Sequence, residues 1–220
     1  MLDNKRKEIL VFDFDGTILR IDCFKMIILL RCLNPVTWKT LLKSLNIYFR
    51  EEGTYLRKVL YKNLWYSKSH RTSWICKFFK NKMFDIFIRR RCLDLLRHST
   101  KIKHVLILSA NEEEIIKEFI KQFCDKEEQY IDVIATNSLQ DEDPIKGSRK
   151  VKKYLEYLTK QKLNKEYAIM HSFFDSRSDF ELAQLSDVPV SFNWLHEIIG
   201  LSKKYGFITF NNYVEHKKTI

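Results

Sequence analysis

The sequence predicts a doubly wound α/β protein, built on a mostly parallel sheet with a helical segment inserted after the first strand. Three observations carry this expectation. Short apolar runs alternate with amphipathic helical patterns through most of the chain, one long stretch after the first run keeps a purely helical period, and polar residues of the kind that do chemistry stand directly behind the runs.

Glu8 to Asp13 is the first run, and its unbroken apolar stretch from Ile9 to Phe12 suits a strand buried on both faces. Val105 to Ser109, Ile131 to Thr136, Tyr167 to His171 and Val188 to Phe192 have the same character, and Glu112 to Phe123 and Arg149 to Leu158 carry the helical period between them. In an open sheet of this kind, ligands bind beyond the carboxyl ends of the strands. The residues just after each run are therefore the candidates for function.

The stretch after the first run differs in both period and charge. Asn34 suits an N-cap and Pro35 a first helical position, after which Trp38, Leu41, Leu42, Leu45 and Phe49 share a face from which Lys39, Lys43 and Arg50 are excluded. Leu56, Val59 and Leu60, then Ile75, Phe79, Met83, Ile86 and Phe87, continue the pattern. From Arg20 to Arg97 there are 18 Lys or Arg against 5 Asp or Glu, a net of +13, whereas the rest holds 21 against 23, a net of −2. A nearly neutral body formed by residues 1–19 and 86–220 is expected to carry a basic helical insertion, 20–85.

Composition narrows the class further. With 220 residues, 45% of them hydrophobic, and only five glycines and three prolines, the chain can bury a core and is neither disordered nor low in complexity. Its five cysteines, Cys23, Cys32, Cys76, Cys92 and Cys124, include no Cys-x-x-Cys pair and read as reduced, buried thiols. No His-Glu-x-x-His sequence supports a zinc hydrolase. The polar start and the short apolar runs suggest neither an export signal nor a membrane span, so a cytoplasmic protein is expected, either free or peripheral at the inner membrane surface.

The first run ends in Asp13-Phe14-Asp15-Gly16-Thr17. Carboxylates at i and i+2 of a strand end project to one side, where they can share a cation, and Gly16 permits a sharp exit of the backbone. An acidic turn or part of a calcium loop would use the same residues, although the EF-hand pattern fails for want of a Glu at its twelfth position. Ser109 ends the second run, Lys150 stands near a helix start after Pro144-Ile145-Lys146-Gly147-Ser148-Arg149, and Asp175 and Asp179 follow the fourth. Singly these are commonly a helix cap, a solvated lysine and a capped helix start. Their order along the chain is what joins them.

In that order, from Val11 to about Asn193, they resemble the four motifs of the haloacid dehalogenase superfamily, whose core is Rossmann-like. The resemblance is finest to the phosphoserine phosphatase-like branch with a helical cap, and to phosphatidylglycerophosphatase-type and prenyltransferase-fused members. It implies a magnesium-dependent phosphatase that hydrolyses a phosphomonoester through an aspartyl-phosphate. Asp13 would be the nucleophile and Asp15 the general acid and base. Ser109, Ala110 and Lys150 would hold the phosphoryl oxygens, and Asp13, Asp15 through its backbone carbonyl, Asp175 and Asp179 would hold Mg²⁺. Three departures stand out: Phe174 replaces the glycine usual before the metal-binding Asp, Asn111 replaces a common serine, and Ser109-Ala110-Asn111 stands where phosphoserine phosphatases usually show Ser-Gly-Gly.

The implied partner is a phosphorylated small-molecule or lipid substrate, with peripheral contact to an anionic membrane suggested by the basic segment. A soluble metabolite phosphatase or phosphotransferase would use the same residues. From other classes, a basic nucleic-acid-binding protein and a catalytically silent member are the rivals. Arg89-Arg90-Arg91 invites the nucleic-acid reading, but these residues lie in a helical period with Ile88, Cys92, Leu95 and Leu96, and no DNA- or RNA-binding pattern accompanies them.

Overall fold

The computed structural model describes residues 7–23, 25–26, 42, 75, 77–99, 104–124, 126–137, 140, 143–163, 168–193 and 200–218. Most of the expected insertion, including the helix from Asn34 to Arg50 and the pattern around Leu56 to Leu60, lies outside them, Leu42 excepted. Six strands form one sheet: β1 Lys7–Phe12, β2 His104–Glu112, β3 Ile131–Thr136, β4 Ala168–Phe174, β5 Val188–Ser191 and β6 Ile208–Thr209. Their order is β3-β2-β1-β4-β5-β6, and every pairing is parallel. The sheet is thus wholly parallel.

Helices α1 Arg90–Ser99, α2 Glu113–Phe123, α3 Ser148–Lys160, α4 Phe180–Gln184, α5 Leu201–Tyr205 and α6 Phe210–Lys218 connect or follow the strands. Alternate side chains of β1 explain the two layers. Leu10 and Phe12 face a cluster with Leu93 and Leu96 of α1, Ile116 and Phe119 of α2 and Tyr213 of α6. Ile9 and Val11 face the opposite side, against Tyr154 and Leu158 of α3 and Leu182 of α4. A strand buried on both faces is held by both layers, and each fully buried Leu, Ile or Phe contributes roughly 1.5–3 kcal/mol.

The described end of the basic stretch joins the core. Ile75, Phe78, Phe79 and Phe84 pack in the cluster that contains Phe119, and Phe79 meets Phe119 edge-on at 5.6 Å. Lys82–Phe87 is a 3-10 helix, whose tighter turn rotates side chains off the expected α-helical face. Ile86, read as part of the apolar stripe, is 66% exposed as a result. Two chain segments then meet, with Arg20 N–H donating to Phe87 O and Arg89 N–H donating to Ile18 O.

Cys23, Cys92 and Cys124 are buried, Cys32 and Cys76 lie outside the described residues, and burial pushes the Cys124 thiol up to about 11. Such thiols are poor nucleophiles. Among the described residues, no helix is long and apolar enough to cross a membrane.

Candidate functional site

Register brings the chemistry to one edge. Phe12 lies opposite Ile107 on β2 and Phe173 on β4, so Asp13, Ser109 and Asp175 all emerge at or just beyond the carboxyl end of the sheet. The backbone N–H of Asp13 still donates to Phe173 O at 2.9 Å, which anchors the first carboxylate to the strand end. Beyond it the chain turns within six residues, with the N–H groups of Ile18 and Leu19 both donating to Phe14 O at 3.0 Å.

Gly16 makes that turn at φ +75°. A Cβ added there would sit 1.9 Å from Asp175 Oδ2, so glycine serves both the left-handed backbone and the close approach of Asp175. Three carboxylates converge as a consequence. One oxygen from each of Asp13, Asp175 and Asp179 lies within 4.8 Å of the others.

Lys150, at the start of α3, reaches into this group. Its Nζ donates to Asp13 Oδ1 at 2.9 Å and, by a still shorter contact, to Asp179 Oδ1. Only 2% of its side chain is exposed. Burial opposes its charge, but Asp13 and Asp179 together outweigh burial and hold the ammonium above its usual range. Asp179 is fixed further by Ser176, whose hydroxyl donates to Oδ2 at 2.8 Å.

One ammonium does not balance three carboxylates. Burial first, then the Asp179 charge, raises Asp13 to about 6 against the pull of Lys150. Asp175 rises to about 7, again through burial first and then through the charges of Asp13 and Asp179. A hard divalent cation suits three convergent carboxylate oxygens and would remove this repulsion, so the donor set fits Mg²⁺.

Asp15 stands apart from that cluster. Its Oδ1 accepts the Cys23 N–H at 2.9 Å, and the Asn111 amide donates to both of its carboxylate oxygens, at 3.1 and 2.9 Å. Its carboxylate is therefore not among the converging oxygens, and the expected metal contact was through its backbone carbonyl. Two aspartates two residues apart thus occupy separate surroundings, as two separate tasks would require.

The Asn111 contact comes from an irregularity in β2. Ser109 pairs with Ala135, yet Glu112 pairs with Thr136, so Ala110 and Asn111 are extra residues on the β2 side. Side chains replace the ladder bonds lost there: Ser109 Oγ accepts the Asn111 N–H at 3.1 Å, and Asn111 Oδ1 accepts the Glu112 N–H at 2.7 Å. With its oxygen engaged, the Asn111 amide must turn its NH₂ toward Asp15. Ser109 uses a lone pair in its bond, and the hydroxyl hydrogen remains to be given to an anion. Ala110 is half-buried in the bulge.

Phe174 is accommodated beside the cluster by packing, without a left-handed backbone. Its ring is 2% exposed and packs against Phe207 at 4.9 Å and Phe180 at 6.0 Å, and its backbone is not among the positive-φ residues. The fold brings Asp13, Asp175, Asp179 and Lys150 together and puts Ser109 on the same edge. The sequence missed the second role of Asn111, which two-residue spacing from Ser109 could have suggested. It also missed Asn193, whose amide donates to Asp175 O at 3.0 Å, and Arg89, whose Nε donates to Gly16 O at 3.2 Å.

Arg89 also borders a cavity of about 570 Å³ lined by Arg20, Arg90 and Arg91 as well. Burial first, and the Arg20 charge second, lower the proton affinity of Arg89.

Comparison with known proteins agrees with this architecture. A Bordetella pertussis Tohama I protein of unknown function superposes with a TM-score of 0.70 at 16% identity, over 92% of this chain and 97% of the other. A phosphoserine phosphohydrolase-like protein from Francisella tularensis gives 0.54 at 18% identity, over 97% and 99%. Among curated proteins none matches. Residues 10–184 match the profile of the haloacid dehalogenase-like hydrolases, a span that contains the whole carboxylate cluster, Lys150 and the Asn111-Asp15 pair. The chain belongs to the haloacid dehalogenase-like hydrolase family.

Proposed function

We propose that this hydrolase is a magnesium-dependent phosphatase acting on phosphomonoesters through a phosphoryl group carried on Asp13. The observation that supports it most is the division of labour among the carboxylates. Asp13 is held against Lys150 beside Asp175 and Asp179, whereas Asp15 is held separately by Asn111 and the Cys23 N–H.

Phosphate monoesters hydrolyse extremely slowly, and their dianions repel an anionic nucleophile. Mg²⁺ held by Asp13, Asp175 and the Asp179 side of the cluster would supply the positive charge that allows the two to meet. Lys150 would bind an equatorial phosphoryl oxygen as Ser109 donates to another, so the reacting group is oriented before attack. The Asp13 carboxylate would then displace the alcohol, forming an acyl phosphate. Asp15 would protonate the departing oxygen and afterwards deprotonate the attacking water, which restores Asp13 and releases phosphate. Asn111 keeps the Asp15 carboxylate oriented for both transfers.

A basic segment of net +13 over residues 20–97 favours an anionic substrate, and its interleaved basic and aromatic residues favour one presented at an anionic membrane surface. Attraction to such a leaflet is worth about 1 kcal/mol per suitably placed Lys or Arg. A screen of soluble and lipid phosphomonoesters with and without magnesium tests the activity. Sedimentation with anionic and neutral vesicles at low and high salt tests the surface. Magnesium-dependent phosphate release from a lipid monoester together with salt-sensitive binding to anionic vesicles is expected. Release from soluble substrates alone, with no vesicle binding at low salt, would leave a soluble metabolite phosphatase.

A further inference from the structure

The arginine-lined cavity plays no part in the chemistry just described, yet it is built as an anion site. Arg20, Arg89, Arg90 and Arg91 line it, with Ser191 and Asn211 adding polar groups, and among the described residues no carboxylate lines it. Arg90 pairs with Asp85 at 3.0 Å, and both partners are about half exposed.

Arg89 is preorganised. Its Nε is tied to Gly16 O, and its guanidinium lies over the Phe192 ring at 5.1 Å. Helices α1 and α6 also begin here, at Arg90 and Phe210, and neither has an acidic residue in its first turn. Backbone N–H groups at helix starts add positive partial charge to that of the side chains. The Arg20 charge acts against that of Arg89, and an anion between them would relieve this.

The position gives the site its meaning. Ser191 and Thr209 end β5 and β6, so the cavity opens at the same carboxyl edge of the sheet as the carboxylate cluster. Arg89 touches the loop that carries Asp13 and Asp15, through Gly16. The two regions are therefore neighbours with opposite charge.

We propose that the pocket of Arg20, Arg89, Arg90 and Arg91 binds a second anionic group, a phosphate or carboxylate, carried by the substrate away from the phosphoryl group that Asp13 attacks. The planar fork of arginine matches either group, and a cavity of about 570 Å³ has room for more than a single oxyanion. Assignment of the anion to the substrate rests on the phosphatase reading; the anion site itself does not.

Two measurements separate these. Calorimetric titration with inorganic phosphate, in chelator so that the carboxylates repel anions from the catalytic cluster, reads the arginine pocket whether or not the protein is a phosphatase. Wild type and Asp13→Asn should bind weakly and alike, the doubly substituted Arg20→Gln/Arg91→Gln protein about tenfold more weakly, and Arg20→Lys/Arg91→Lys between them. High salt should weaken all of them. No binding, or equal binding by the Gln and wild-type proteins, would overturn the anion site.

The second measurement compares kcat/KM for a phosphomonoester bearing another phosphate or carboxylate with that for phenyl phosphate. Wild type should prefer the first, and the Gln protein should lose about tenfold of that preference. Phosphate binding that responds to the arginines without any change in preference would overturn the assignment to substrate.

Discussion

The carboxylate cluster and the arginine pocket occupy the same edge of the sheet, yet they hold charge in opposite ways. Lys150 and Asp179 are each 2% exposed and bonded to each other, with Asp13 close by. Arg20, Arg90 and Arg91 are exposed, and Arg89 is only half-buried. Buried charge must be paired with close geometry, and removing one partner leaves an expensive remnant. Exposed charge is screened and acts mainly through number. The first arrangement suits catalysis, which needs fixed groups, and the second suits recognition of an anion that arrives from water.

If that contrast is correct, the largest effects belong to the buried side. Replacing Lys150 with Met should leave Asp13 and Asp179 facing each other and cost about 3–5 kcal/mol in chemical denaturation without metal. Magnesium should recover part of the loss. A stability change as small as that expected for Arg91→Gln would erase the contrast.

Phe174→Gly should cost a similar amount, about 3–5 kcal/mol, because it empties the place filled against Phe207 and Phe180. Activity measured below the melting temperature should not increase. A faster enzyme would mean that the ring had distorted the carboxylates after all.

The pH dependence sharpens the same comparison. Asp13 and Asp175 sit near 6 and 7 in the folded protein, above the ordinary carboxylate value of 3.8. Carboxyl groups with raised folded values favour the fold below their unfolded value and lose that contribution as pH rises through the folded one. Protein in chelator should therefore lose stability between about pH 4 and pH 7. Magnesium competes with those protons, so its increment in Tm should be larger near pH 8 than near pH 5. Equal increments would argue that the cation binds elsewhere.

Smaller effects are expected from the groups that orient. Asn111→Ala removes the amide held against Asp15, and kcat should fall about tenfold or somewhat more, with little change in stability. Asp175→Ala should raise the magnesium requirement more than Asp179→Ala, whose main loss is the position of Lys150. Reversal of that order would exchange the two roles.

Sequence alone revealed the β1 to β5 runs because buried parallel strands are short, apolar and bounded by polar residues. It could not reveal β6, since the two residues Ile208 and Thr209 have no period to detect. It ended β2 at Ser109, because Ala110-Asn111-Glu112 looks like an exit from a strand, whereas side-chain bonds from Ser109 and Asn111 keep the backbone in the ladder across a bulge. His171 and Ser172 similarly concealed the continuation of β4 to Phe174. The candidate site was legible where one residue follows one strand, as at Asp13 after β1 and Asp175 after β4. The arginine pocket was not, because residues 20, 89–91, 191 and 211 meet only through the fold.

The central claim is that Asp13 carries the phosphoryl group. Peptide mass spectrometry after acid quench, with magnesium and phenyl phosphate present, tests it most directly. The label should lie on Asp13, accumulate in Asp15→Asn, where water attack is slowed, and be absent from Asp13→Asn, whose turnover should fall by about 10⁴-fold or more. Undiminished turnover in Asp13→Asn, with no phosphorylated peptide in the wild type, would contradict the account.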